Sequence, residues 1–142
     1  MSKLLVDEIS DADGTGPVTV TDGIIVNGTI KLDGNYPVGA QNVALGDAAL
    51  SNASTGANNT AVGTQSLLSN TGANNTGLGT NTLYYNTGSQ NTALGASALL
   101  FNETASYNTA VGYQALYTNI DGGYSTAVGA NALRLATGLY ND

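Results

Sequence analysis

A phrase of five residues recurs six times in this chain: Asn42-Val-Ala-Leu-Gly46, Asn59-Thr-Ala-Val-Gly63, Asn75-Thr-Gly-Leu-Gly79, Asn91-Thr-Ala-Leu-Gly95, Asn108-Thr-Ala-Val-Gly112 and Ser125-Thr-Ala-Val-Gly129. The closing glycines lie 17, 16, 16, 17 and 17 residues apart, and a leucine follows each at a constant offset: Leu50, Leu67, Leu83, Leu99, Leu116 and Leu133. A short fixed period implies a stack of equivalent turns, none of which can bury its apolar face alone. Such a stack makes a rod or a binding surface more readily than an enzyme pocket.

Each unit reads as a short strand, a tight corner at Gly, a second short strand through Leu, and a polar loop. The loops are rich in turn formers, as in Asn70-Thr-Gly-Ala-Asn74 and Asn86-Thr-Gly-Ser-Gln90. Helix is excluded, because Gly, Asn and Thr recur in every unit and no window keeps a 3.6-residue apolar stripe. A period of 16 or 17 residues is also shorter than the ~20 that leucine-rich and helical repeats need. The expected fold is therefore all-β, a parallel β-roll of six turns over residues 41–142. With ~4.8 Å between strands, six turns give a rod of roughly 25 to 30 Å.

Strand alternation then sorts the side chains. In Asn59-Thr-Ala-Val-Gly63, Thr60 and Val62 share one face and Ala61 takes the other. A thin roll has room inside for Ala against Leu. The expected core is thus Ala61, Ala93 and Ala110 (with Ala44, Gly77 and Ala127 at the equivalent positions) packed on Leu67, Leu83, Leu99, Leu116 and Leu133. This leaves an outward column of Leu45, Val62, Leu78, Leu94, Val111 and Val128. A continuous exposed apolar stripe marks an interface, here expected to join copies of this chain.

Several functions are disfavoured by what the chain contains. Histidine and cysteine are absent, which removes the commonest base, the thiolate ligand and any disulfide. The many hydroxyls have no positioned base, so the chain is not expected to be an enzyme and no cofactor is expected. The net charge of −7 argues against nucleic acid as a partner, and no segment approaches the ~20 apolar residues of a membrane span. Asp11-Ala-Asp13-Gly14, even with Asp22 nearby, lacks the distal bidentate acid of a calcium loop, so no metal site is expected. Glycine-rich corners such as Gly77-Leu-Gly79 open no helix that could cradle phosphate.

Residues 1–40 do not carry the repeat. They read as short strands, such as Val18-Thr-Val-Thr-Asp-Gly-Ile-Ile-Val26, and hold six of the ten acids: Asp7, Glu8, Asp11, Asp13, Asp22 and Asp33. Attachment to another protein and capping of the first turn are both open readings of this segment. Met1-Ser-Lys-Leu-Leu-Val is followed at once by Asp7 and Glu8, without the apolar run of a secretory leader.

The threonine rank Thr60, Thr76, Thr92, Thr109 and Thr126 resembles that of ice-binding solenoids, but each Thr stands beside Ala and shares its face with the Val/Leu column. A structural role near the subunit interface is therefore expected. The tyrosines crowd into the C-terminal half. Tyr84, Tyr85, Tyr107, Tyr113, Tyr117, Tyr124 and Tyr140 are candidates for surface contact, with corner-filling as the alternative.

Over residues 40 to 138 the pattern resembles the head repeat of trimeric autotransporter adhesins, a left-handed parallel β-roll. Asn108-Thr-Ala-Val-Gly-Tyr-Gln-Ala-Leu-Tyr117 is similar to repeats in fibre proteins of tailed bacteriophages. The resemblance implies a homotrimeric virion fibre, assembled in the host cytoplasm and attached to other virion proteins through residues 1–40. Its free part is expected to contact the host surface, with a glycan as the ligand. A capsid, collar or baseplate connector without receptor binding, and a bacterial surface adhesin, are the alternatives. The coiled-coil stalk and membrane barrel of autotransporters do not follow the repeat here.

Overall fold

The period of 16 or 17 residues is realised as parallel strands lying in register, each on its counterpart in the next unit. A computed structural model of the chain describes residues 41–51 and 55–136. The attachment segment expected at 1–40, and Tyr140, lie outside the described residues. Nine short strands follow in order: β1 (Val43–Leu45), β2 (Thr60–Val62), β3 (Ser69–Asn70), β4 (Thr76–Leu78), β5 (Tyr85–Asn86), β6 (Thr92–Leu94), β7 (Phe101–Asn102), β8 (Thr109–Val111) and β9 (Thr126–Val128). The Thr-Ala-Val strands form a six-stranded sheet in the order β1-β2-β4-β6-β8-β9, and the two-residue strands form a second sheet, β3-β5-β7. The fold is all-β, a solenoid of about five turns.

Register follows the sequence repeat without slippage. Thr60 pairs with Thr76, Ala61 with Gly77 and Val62 with Leu78, and the later pairs continue each column. Ala61, Ala93 and Ala110 are fully buried, as are Leu67, Leu83, Leu99 and Leu116, and together they form one apolar core. Leu133 is partly buried and packs against that core. Ala44, on the edge strand β1, is exposed, whereas Ala127 on the other edge strand, β9, is buried.

One expectation needs correction. The repeated leucines do not sit in the second strand. They lie in the turn before it, with φ between 45° and 53°, in the left-handed region. That conformation costs a non-glycine residue about 1–2 kcal/mol. Complete burial of a leucine contributes about 1.5–3 kcal/mol, and the N–H of Leu50, Leu67, Leu83, Leu99 and Leu116 also reaches the next turn, as Leu67 does to the Thr82 carbonyl at 2.8 Å. Burial and stacking therefore hold a conformation that a period-2 strand pattern cannot anticipate. The corner glycines go further: Gly63 has φ 125°, and a Cβ there would lie 2.6 Å from the Gly79 carbonyl oxygen.

The other end of the roll is filled by asparagine. Asn59, Asn75, Asn91 and Asn108 are buried in one column and Asn70, Asn86, Asn102 and Asn119 in a second. Asn75 Oδ1 accepts the Asn91 N–H at 2.9 Å while Asn75 Nδ2 donates to the Gly88 carbonyl at 2.9 Å. In the second column each amide donates to the oxygen of the amide one turn earlier: Asn86 to Asn70 at 2.6 Å, Asn102 to Asn86 at 2.8 Å and Asn119 to Asn102 at 3.1 Å. A buried polar group without a partner costs about 1–3 kcal/mol, so these ladders are stable only when continuous. The second ends where Ala136 occupies the next position in register, and Asn119 Oδ1 is buried without a hydrogen-bond partner. Replacing Ala136 by Asn should supply the missing donor and stabilise the fold by about 1 kcal/mol, measured as a higher denaturant midpoint at unchanged slope.

Gly77 is the one glycine in the Ala column, and its neighbours explain it. The position that is Ala98 or Ala115 in later turns is Ser66 and Thr82 here, and their hydroxyls meet at 2.7 Å. A Cβ on Gly77 would lie 2.5 Å from Ser66 Oγ and 2.6 Å from Thr82 Oγ1. Gly77→Ala should therefore lower stability by about 1–3 kcal/mol through overpacking. Adding Ser66→Ala and Thr82→Ala should recover most of the loss in thermal unfolding, since the triple variant reproduces the later turns.

Candidate functional site

The exposed chemistry falls on two surfaces, each built by one of the sheets. On the six-stranded sheet, alternation turns Ala inward and sends Thr and Val/Leu outward. Leu45, Leu78 and Val128 are 45%, 50% and 70% exposed, and Val62, Leu94 and Val111 are half-buried. The column expected to look outward does so. Thr60, Thr76, Thr92 and Thr109 run beside it half-buried and Thr126 is exposed, so the face carries a hydroxyl rank next to an aliphatic one. No charged residue interrupts the strands of this face.

The second surface is aromatic. The register places Ser69, Tyr85, Phe101 and Thr118 in one column. Tyr85 and Phe101 stack with centroids 5.5 Å apart and planes 10° from parallel, because the turn spacing brings in-register rings to stacking distance. Tyr84 meets the Tyr85 ring edge-on at 4.5 Å, Tyr117 meets Phe101 edge-on at 5.4 Å, and the Arg134 guanidinium lies 4.9 Å from the Tyr117 centroid. The result is a continuous aromatic ridge of four rings closed by a cation. Arg134 is also held by Gln114, to whose side-chain oxygen its Nε donates at 3.0 Å.

Of the other tyrosines expected at the surface, Tyr107 and Tyr124 stack at 4.8 Å with planes 3° apart, in the loop corners. Both have positive φ, as do Asn58, Asn74 and Gln90 at the equivalent corners. Tyr113 is 54% exposed in the turn after Gly112 and has no ring contact among the described residues. The structure thus groups Tyr84, Tyr85 and Tyr117, pairs Tyr107 with Tyr124, and leaves Tyr113 apart.

Phe101, which is not among the tyrosines expected at the surface, is the centre of the ridge. The 16-residue separation of Tyr85 and Phe101, equal to the repeat, was the available signal. Arg134 carried none, since its ring partner depends on turn geometry. Two clefts flank Tyr85. One, of about 480 Å³, is lined by Ser69, Thr71, Tyr85, Asn86, Thr87, Glu103 and Thr104. The other, of about 250 Å³, is lined by Asn81, Tyr84, Tyr85, Leu100, Phe101 and Tyr117.

No protein-family model, curated protein or solved structure matches this chain. Phe101→Ser should break the ridge at its centre. Loss of two ring pairs should lower stability by about 1–3 kcal/mol and weaken the near-ultraviolet circular dichroism of the stacked tyrosines, with the far-ultraviolet spectrum unchanged.

Proposed function

We propose that this chain is the subunit of a homotrimeric, left-handed β-roll fibre on a tailed-bacteriophage virion, acting by adhesion without catalysis. The observation that supports trimerisation is the outward Val/Leu column. Six aliphatic side chains in register, one per turn, give an apolar stripe along the axis of the roll. Leaving it in water forgoes its burial; packing three stripes around one axis recovers on the order of 5–10 kcal/mol per chain at about 25 cal/mol per Å². The neighbouring threonines line the same contact and supply hydroxyls without charge.

Attachment to other virion proteins is assigned to residues 1–40, where most of the acids lie. Assembly then takes place in the host cytoplasm and the mature protein resides on the virion. Contact with the host surface falls to the aromatic ridge and the stacked loop tyrosines, which remain outside a trimer joined through the other sheet. Three copies multiply a weak contact through effective concentration.

Analytical ultracentrifugation tests this reading. The unmodified protein should sediment as a trimer, and Val111→Asp should abolish assembly, because three carboxylates near one axis are costly to desolvate. A stable, folded monomer of the unmodified protein would remove the basis for the interface.

A further inference from the structure

We infer that the larger cleft beside Tyr85 is a binding subsite for an uncharged hexopyranose. This rests on the reading of the molecule as a surface-contacting fibre and names the ligand class at one site on it. The observations are the column register, the hydrogen bonds of the rim and the charge around it.

In the column Ser69–Tyr85–Phe101 the ring stack stops at Ser69, whose side chain is too small to continue it. The cleft that Ser69 and Tyr85 line has a volume of about 480 Å³, within the usual range for small-ligand sites. Its aromatic wall, Tyr85, is 46% exposed and held by Phe101 and Tyr84, so it is positioned before any ligand arrives. A pyranose offers a face of C–H bonds that complements the negative face of an aromatic ring.

Part of the lining consists of acceptors. Thr87 Oγ1 donates its hydrogen to the Glu103 main-chain carbonyl at 2.5 Å, and Thr104 Oγ1 donates to the Ile120 carbonyl at 3.3 Å. With their hydrogens committed to the next turn, both hydroxyls present lone pairs to the cleft. Glu103, an exposed residue of the same lining, has a carboxylate within reach of the cleft as a third acceptor. A ligand for this rim must bring several donors spread over two turns, as the hydroxyls of a sugar ring do. An acidic sugar is disfavoured: Arg134, the one cation among the described residues, is engaged by Gln114 and Tyr117. A point charge such as an ammonium would meet Glu103 but leave the dispersed threonine acceptors unused.

Saturation-transfer NMR on the full-length protein decides the matter. The probes are the methyl glycosides of glucose, galactose, mannose and N-acetylglucosamine, with glucosamine and glucuronate as charged comparators. At least one uncharged glycoside should receive saturation through its ring C–H protons. Tyr85→Ser, which places in this turn the residue that Ser69 already holds in the column, should weaken its binding about fivefold. Glu103→Gln, of unchanged shape, should weaken it about tenfold by removing a charge-assisted acceptor. Absence of transfer to every uncharged glycoside overturns the inference, as does binding that both substitutions leave unchanged. Binding of glucosamine alone would make this a cation site and also overturn it. Both variants should sediment as the parent does, so a failed titration and a failed trimer are separate results.

Discussion

The structure depends on the requirement that each buried amide meet its counterpart one turn away. Asn59, Asn75, Asn91 and Asn108 each accept the main-chain N–H of the equivalent residue in the next turn and donate to the carbonyl three residues before it. A slip of one residue toward the C-terminus would put Thr60, Thr76, Thr92 and Thr109 in place of these amides and leave several polar groups buried and unpaired, at about 1–3 kcal/mol each. The asparagines therefore supply register, and Leu and Ala supply most of the driving force.

That division explains how so thin a roll accommodates strain. Each turn carries non-glycine residues at positive φ, including a fully buried leucine in most turns, and a corner glycine at about 120–134°. No single turn could hold these conformations alone, because the hydrogen bonds that compensate them reach into adjacent turns. Local irregularities are absorbed the same way. Where Ser66 and Thr82 replace alanine, Gly77 gives up its methyl, and the two hydroxyl hydrogens are shared between the hydroxyl pair and the Gly77 and Gly79 carbonyls.

With register secured inside, the outside is free to differ between the two sheets. One presents Val/Leu beside Thr and suits contact with further copies of the same chain. The other presents an aromatic ridge only where the sequence places Tyr85, Phe101 and Tyr117 on successive turns, so its chemistry varies along the axis while its backbone does not. The surface chemistry can thus change by side-chain substitution in one or two turns without disturbing the ladders beneath.

The sequence by itself determined the repeat, the parallel all-β stacking, the Ala/Leu core and the outward set Leu45 to Val128. All of these follow from a fixed period and strand alternation, which are local properties. Tertiary structure alone decided the rest. The leucines turned out to occupy left-handed turns because burial outweighs a strain that is invisible in residue order. The asparagines became interior ladders because stacking brings equal amides within hydrogen-bond distance, whereas asparagine in a loop motif reads as a turn former. The aromatic ridge, its cation and the acceptor rim at Thr87, Glu103 and Thr104 arose because neighbours in space lie about a full turn apart in sequence, and which way each hydroxyl spends its proton depends on the carbonyl above it.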